Sequence, residues 1–596
     1  MDRAHSGGRR WLTRAVPICL IALAVMMTAS TTQAGPLAAQ ADPVIGKAVA
    51  FDVSQPLSVL AQSAQGGKSA PAASGFGADR DVDVVSDPAA RTSGSGAAAA
   101  VSPQRAAAQQ AAAAMPATKA NFEGLSNQDN FNVYGFRINP PDPDGDVGPN
   151  HYVELINLVL GVYSKTGTKL LGPMAIGSVW SGFAVDDCTD PSGDPIVIYD
   201  QTADRWLLSQ FTTRGLADPT LPFYNCVAIS TTPDPTGTYY RYAFSTGFNF
   251  PDYPKYGFFG DSYINTSREF GPNGEYGIGV YALERAQMIK GNPNARSVSF
   301  FLDGLANNAE LLPLIGDGLL PPDTDGSRSK YATAPIVGTQ DDNAFYGATS
   351  DAINIWELAV KWGSYQVTAS LAFKAQLPVD PFDSIFPCNP NPPVTNSRDC
   401  LPQPGVPIGD PRMLDILSYR QRPIWRLAYR KMQTYESMVT NQSVESSPGV
   451  GGTRWYEIQR VDSGYSIRQQ GTIDPGDGIH RWMGSIAQDK KGNMAVGYSV
   501  VNGTDVYAGI RYTGRLATDP LGTMPQGEAV VIDGSGIQRT TNSRWGDYTS
   551  LNIDPIDDCT FWYINQYYTK EGELSSTVGW QTRIASFKFP NCNPQG

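Results

Sequence analysis

The chain has 596 residues, of which 41% are hydrophobic and 17% charged, and its formal net charge is −12. This supplies enough apolar side chain for a large core and excludes a wholly disordered polyelectrolyte. The acidic balance excludes a general nucleic-acid binder, which needs a basic surface to release counterions.

At the N-terminus, Arg3, Arg9, Arg10 and Arg14 precede an apolar run from Ala15 to Met27. Thr32-Gln33-Ala34 then offers small side chains at both positions a signal peptidase requires. A signal peptide over 1–34, cleaved after Ala34, is expected. The apolar run falls short of the roughly 20 residues that span a bilayer. No transmembrane segment is therefore expected after cleavage, and the mature chain should be secreted, extracellular or periplasmic. Arg9-Arg10 before Trp11-Leu12 leaves the export route open. Residues 35–119 turn to Ala, Ser, Gly and Gln, as in Ala97–Ala100 and Ala111–Ala114. Such a segment buries too little apolar surface to offset its ordering entropy. It is expected to be a disordered spacer, with at most a transient helix over Arg105–Ala114.

From Asn121 onward, β-branched and aromatic residues alternate with polar ones in short runs broken by Gly, Pro, Asp and Asn. Ile196–Tyr199, Trp206–Phe211 and Thr560–Ile564 read as strands, and Leu283–Ile289 is a short helical candidate. Residues 120–596 are expected to form one all-β domain. Cys19 lies in the leader, which leaves Cys188, Cys226, Cys388, Cys400, Cys559 and Cys592. An even set in an exported chain implies disulfides. The sequential pairing 188–226, 388–400 and 559–592 is expected because each closes a short loop. With no CxxC pair, and only His151 and His480 remaining, a structural zinc is not expected.

A repeat runs through this domain: a Gly, often followed by Asp, opens a strand, then a turn and an aromatic-rich second strand. Gly193-Asp194, Gly260-Asp261, Gly484-Ser485 and Gly546-Asp547 begin four copies. Gly148 begins a looser one, and Tyr331–Gly347 and Tyr419–Tyr429 are degenerate. Such spacing suits a β-propeller, with seven blades the expected number and six or eight as alternatives. A large two-sheet sandwich is the competing architecture.

Gly193–Phe211 (GDPIVIYDQTADRWLLSQF), Tyr224–Tyr242 (YNCVAISTTPDPTGTYYRY), Arg454–Gln459 (RWYEIQ), Arg481–Ser499 (RWMGSIAQDKKGNMAVGYS) and Arg544–Tyr568 (RWGDYTSLNIDPIDDCTFWYINQYY) resemble a widespread family of exported bacterial proteins. That family is assigned a sialidase-like, or neuraminidase-like, β-propeller. The resemblance covers Asn121 to Cys592 and implies the fold without implying a particular reaction. The Ser-x-Asp-x-Gly-x-Thr-Trp turn of true sialidases is not evident in this sequence.

In a propeller, loops leading into the innermost strands shape a funnel. If the Gly-Asp step marks that position, Asp194, Asp261 and Asp547 converge there with Arg481, Arg544 and His480 as candidate catalytic groups. Trp482, Trp545 and Tyr548 would be ligand-binding aromatics. Paired carboxylates can divide acid and base roles in glycoside hydrolysis, and Arg can grip a carboxylate bidentately. The competing reading is that these Asp residues close turns and the Arg residues pair across blades. Calcium is the expected ion, because Asp142, Asp144 and Asp146 stand at alternate positions as in oxygen-rich loops. Asp323, Asp325 and Asp341–Asn343 are weaker candidates. The expected function is binding of an extracellular glycan or surface polymer by a monomer. The alternative is a carbohydrate hydrolase or lyase.

Overall fold

The computed structural model describes residues 42–63, 83–85, 114–304, 310–343, 346–384, 399–416 and 421–593. The expected signal peptide, Cys388 and most of the alanine-rich segment lie outside them. The alternating texture builds antiparallel meanders whose sheets form a seven-bladed β-propeller. The inner strands of blades 1 to 7 are Asp144–Val147, Ile196–Asp200, Phe250–Phe259, Pro322–Asp325, Ile424–Lys431, His480–Gln488 and Ser550–Ile553. Successive inner strands are neighbours, and the last returns to the first. The sandwich alternative is thereby excluded. The helical candidate at Leu283–Ile289 forms a single turn, Arg285–Met288.

Blade 4 departs from the pattern. Leu320, just ahead of its inner strand, bridges to Val337 of its own blade, while the strand itself pairs in parallel with Leu427–Arg430 of blade 5. Blade 7 closes the ring: Thr560–Tyr568 and Trp580–Lys588 follow its inner strand, and Ala120–Ser126 from the other end of the domain pairs outside them. Ile584 stands opposite Phe122, and Arg583 pairs with Glu123.

The spacer expected over 35–119 contains structure that its composition does not announce. Val44–Lys47 adds a fifth strand to blade 3 and Ala50–Val53 a fifth strand to blade 2. This strap crosses two blades; Asp52 pairs with Arg241, and Leu57 is fully buried just beyond it. The strand Val44–Lys47 is itself exposed along its whole length. It is therefore held by the backbone edge that blade 3 presents rather than by burial of its own side chains. No helix among the described residues is long and apolar enough to cross a membrane.

Two of the expected disulfides are present, Cys188–Cys226 within blade 2 and Cys559–Cys592 within blade 7. The latter spans 33 residues and ties the C-terminal tail to the ring-closing blade. Replacing both Cys559 and Cys592 by Ser should lower stability by about 4 kcal/mol from loop-closure entropy. Urea denaturation of this variant beside the parent under oxidising conditions measures the loss.

Candidate functional site

Five of the inner strands share a backbone device, placed just ahead of the strand in blades 1, 2 and 5 and at a bulge within it in blades 3 and 6. Asp142, Asp194, Tyr253, Gln421 and Met483 all adopt left-handed φ values, between 44° and 52°. Pro follows directly after Asp142, Asp194 and Tyr253, and one residue later in Gln421-Arg422-Pro423. Left-handed backbone at residues other than Gly persists where its surroundings over-determine it. For all but Met483, which bonds to Ser443 and Asn565, the surroundings are a charged cluster assembled from blades 1, 2, 3, 5 and 7.

Asp142 accepts hydrogen bonds from the Asp547 backbone N–H at 2.6 Å and from Asn157 Nδ2 at 2.7 Å. Asn157 in turn accepts the Asp194 N–H at 2.9 Å. Tyr548 donates its hydroxyl to Asp194 at 3.0 Å, and its ring lies 3.6 Å from the Lys255 ammonium nitrogen. The same nitrogen is 2.9 Å from the centre of the Tyr253 ring. Arg422 lies 3.7 Å from that ring and approaches both Asp317 and Asp547. Arg544 pairs with Asp547 at 2.9 Å and reaches Asp415, and Arg268 joins Asp317 to Asp252. Burial drives the Asp142 carboxyl well above the carboxylate range, and Asp547 and Asp194 push it further. Burial and the Arg422 charge hold the Lys255 ammonium well below its ordinary value, against the pull of Asp194, Asp547 and Asp142.

The structure thus brings Asp194, Asp547, Arg544 and Tyr548 together, as the repeat implied. It does so in a sealed setting: Asp194 is 0% and Asp547 1% exposed. Asp261 is elsewhere. It sits in the turn between the first two strands of blade 3, its side chain 67% exposed and near Arg328. Gly260-Asp261 is a hairpin turn, whereas Gly193-Asp194 and Gly546-Asp547 precede inner strands. Arg481 also leaves the axis, clamped between Asp477 and Glu528 within blade 6. Neighbouring His480 is buried, its Nδ1 accepting the Gly451 N–H at 3.1 Å. Trp482 and Trp545 are fully buried, with ring centres 5.1 Å apart. They are core side chains and offer no face to a ligand. Sequence reasoning missed Lys255, Tyr253 and Arg422. The residue-plus-Pro step at Tyr253-Pro254 and Arg422-Pro423, matching Asp142-Pro143 and Asp194-Pro195, carries the signal for them.

The expected calcium ligands do not converge. Asp142 serves Asp547 and Asn157, Asp144 accepts the Val197 N–H and the Trp425 indole N–H, and Asp146 accepts the Tyr199 N–H. Alternation along a strand thus gives three separate acceptors for neighbouring blades. Burial pushes Asp144 up to about 7. Asp323 and Asp325 hold Arg426. Among the described residues, Asp341, Asp342 and Asp351 lie close enough to share an ion. Asp341 already accepts the Ser384 and Asn343 N–H groups, and Asp351 those of Asp342 and Phe382.

Away from the axis, a recess of about 590 Å³ opens between blades 5 and 6. Pro475 and Thr523 are exposed in its wall, Thr472, Met524, Pro525 and the Glu528 carboxylate are partly open, and Trp455, Tyr498, Ile473 and Thr513 lie buried behind them. Glu528 is held by Arg481, Arg511 and the Tyr498 hydroxyl, which keep its carboxyl below its usual range against burial.

No protein-family description and no curated protein matches this chain. Solved structures give low-scoring likenesses. The N-terminal domain of Nup159 has a TM-score of 0.30 at 8% identity, over 80% of this chain and 97% of that one. The WD40 domain of SCAP from fission yeast scores 0.28 at 8% identity, over 78% and 98%. Penicillium chrysogenum α-L-arabinanase complexed with arabinobiose scores 0.27 at 10% identity, over 57% and 94%. At these scores they carry no functional argument, so function must be read from the residues themselves.

Two predictions follow from burial. Asp547→Ala leaves Arg544 and Arg422 without a shared buried partner and should cost about 3–5 kcal/mol. Asp261→Ala should change stability by no more than about 0.5 kcal/mol; chemical denaturation of the pair separates axis from turn. Burial first, then the Arg481 charge, holds His480 down to about 4. The unfolded chain therefore binds a proton at His480 that the folded chain refuses between about pH 6.5 and 4. Its contribution, present in full above that window, should fall by about 3 kcal/mol as pH drops through it. His480→Asn, which can still accept the Gly451 N–H, should flatten this slope in melts taken across pH.

Proposed function

We propose that this is an exported, monomeric propeller that binds a glycan or another hydroxyl-rich surface polymer, and that contact is made in the recess between blades 5 and 6. The observation that carries the reading is the mixed character of that recess. Apolar Pro475, Met524 and Pro525 lie beside the Thr472 and Thr523 hydroxyls and a carboxylate paired with two guanidiniums. Its volume suits a small ligand or a short stretch of polymer. Apolar wall accepts the C–H faces of a sugar, while fixed acceptors and hydroxyls orient its O–H groups. The resemblance to exported sialidase-like propellers agrees with this reading and adds no chemistry to it.

The alternative, a hydrolase or lyase, would employ Asp142, Asp194 and Asp547 as acid and base. A carboxylate in that role must reach the glycosidic oxygen or the anomeric carbon, and all three are enclosed by Lys255, Arg422, Arg544 and backbone N–H groups. Binding is the better-supported role. A glycan array probed with the parent protein should give selective hits. Thr523→Trp, at an exposed position on the recess wall, should weaken them at least about tenfold with an unchanged melting temperature. Retained binding in that variant would remove the recess from the proposal. Release of reducing ends from the bound glycan, lost in a folded Asp547→Asn variant, would move the function to hydrolysis.

A further inference from the structure

A second cavity, of about 510 Å³, lies between blades 2 and 3 beneath the N-terminal strap. Val44, Gly46 and Val49 form its roof, and Thr246, Ser299 and Phe301 form part of its walls. Glu269 and Tyr281 also line it, and Glu269 is only 2% exposed. Every donor around this carboxylate is neutral: the Tyr281 hydroxyl, the Ser267 hydroxyl at 3.4 Å and Asn249 Nδ2 at 3.5 Å. Among the described residues it has no cationic partner. Other buried carboxylates are matched directly, as Asp200 is by Arg285 and Asp323 by Arg426. Glu154 and Asp144, which make no ion pair among the described residues either, each accept a backbone N–H as well as a side-chain donor, Thr582 and the Trp425 indole respectively. Glu269 instead meets open space of ligand size. The neighbouring backbone accommodates it there, because a Cβ at Gly279 would collide with its Oε1.

We propose that this cavity is a binding site for a small primary ammonium ligand, its nitrogen seated on Glu269 and its apolar body lying against Phe301 and Val49. A buried carboxylate forms its strongest hydrogen bonds with a charged donor, and the Tyr281 ring adds attraction for a cation. Apolar side chains rim the cavity mouth or adjoin it, with Val44 66%, Val49 57% and Phe248 52% exposed. They suit a ligand that is charged at one end only. Burial pushes the Glu269 carboxyl up to about 7, so at pH 8 it is mostly ionised and open to an ammonium. Lys47, on the roof, is exposed and makes no ion pair with Glu269 among the described residues.

The test uses the full-length protein at pH 8 and constant ionic strength, with n-butylamine as probe and n-butanol as its neutral analogue, followed by calorimetry and thermal shift. Saturable n-butylammonium binding is expected, with n-butanol at least about tenfold weaker. Glu269→Gln keeps the size and the hydrogen-bond acceptor, and should weaken n-butylammonium binding by at least about tenfold while the protein still melts cooperatively. Ser299→Leu fills the cavity without touching the carboxylate and should abolish binding as well. Equal affinity for n-butanol, full affinity in Glu269→Gln, or no saturation below about 50 mM probe would each overturn the proposal. None of these outcomes bears on the recess between blades 5 and 6, whose test is separate.

Discussion

The structure depends on how the innermost backbone edges are satisfied. Except where the inner strand of blade 4 joins the sheet of blade 5, each blade is a separate sheet, so its first strand has a partner on one side only, and its other edge faces a buried axis. A buried amide left without a partner costs about 1–3 kcal/mol. Here the neighbouring blade supplies the missing partners through side chains. Asp144 and Asp146 of blade 1 accept the N–H groups of Val197 and Tyr199 in blade 2. Ser550 and Asn552 of blade 7 bond to Gly145 of blade 1. Thr324 of blade 4 donates to the Phe258 carbonyl in blade 3, and Arg426 of blade 5 donates to Leu551 of blade 7. Short polar side chains on inner strands are therefore the stitches between blades.

The same constraint makes the axis both charged and closed. The left-handed step before Pro at Asp142 and Asp194 sets two carboxylates beside Asn157, Asp547 and Tyr548. Arg422 and Arg544 then neutralise a region that would otherwise concentrate negative charge. Breaking one member of such a set leaves an opposite charge buried, which costs more than the intact pair contributes. The cluster holds the blades in register more than it offers groups to a substrate. Its displaced protonation equilibria reflect burial among like and unlike charges, which structural ion networks produce as readily as catalytic ones.

Much of the fold was legible because strand texture and turn residues repeat along the chain. The site was legible only in part, because one dipeptide serves two purposes. Gly193-Asp194 and Gly546-Asp547 lead into inner strands, but Gly260-Asp261 turns between the first two strands of blade 3, so an axial role assigned to all three was bound to misplace one. Arg481-Trp482 and Arg544-Trp545 share a sequence but not a setting. Arg544 faces Asp547, while Arg481 is drawn outward by Asp477 and Glu528 in its own blade. The alternating acids at Asp142, Asp144 and Asp146 match a cation loop in spacing, and only the neighbouring blade reveals that their acceptors are taken by N–H groups. The strap was illegible for a related reason. Val44–Lys47 buries little of its own apolar surface, and the edge that orders it belongs to Arg296–Ser299, far along the chain.

These arrangements leave the outer parts of the blades freest to vary. Opening the axis to a ligand would orphan several buried groups together, each at about 1–3 kcal/mol, and a ligand can shift an equilibrium only by its differential affinity for the two states. Few small ligands could supply that sum and still bind. The recesses between blades 5 and 6 and between blades 2 and 3 carry no such burden. Their walls include outer strands, among them Glu528–Ile532, of mixed exposure, and Val44–Lys47, exposed throughout. A side chain altered there disturbs few buried partners. A propeller stitched tightly at its centre is thus free to vary its chemistry between the outer strands of adjacent blades, where Glu528 and Glu269 stand in opposite electrostatic settings: one flanked by two guanidiniums, the other by none.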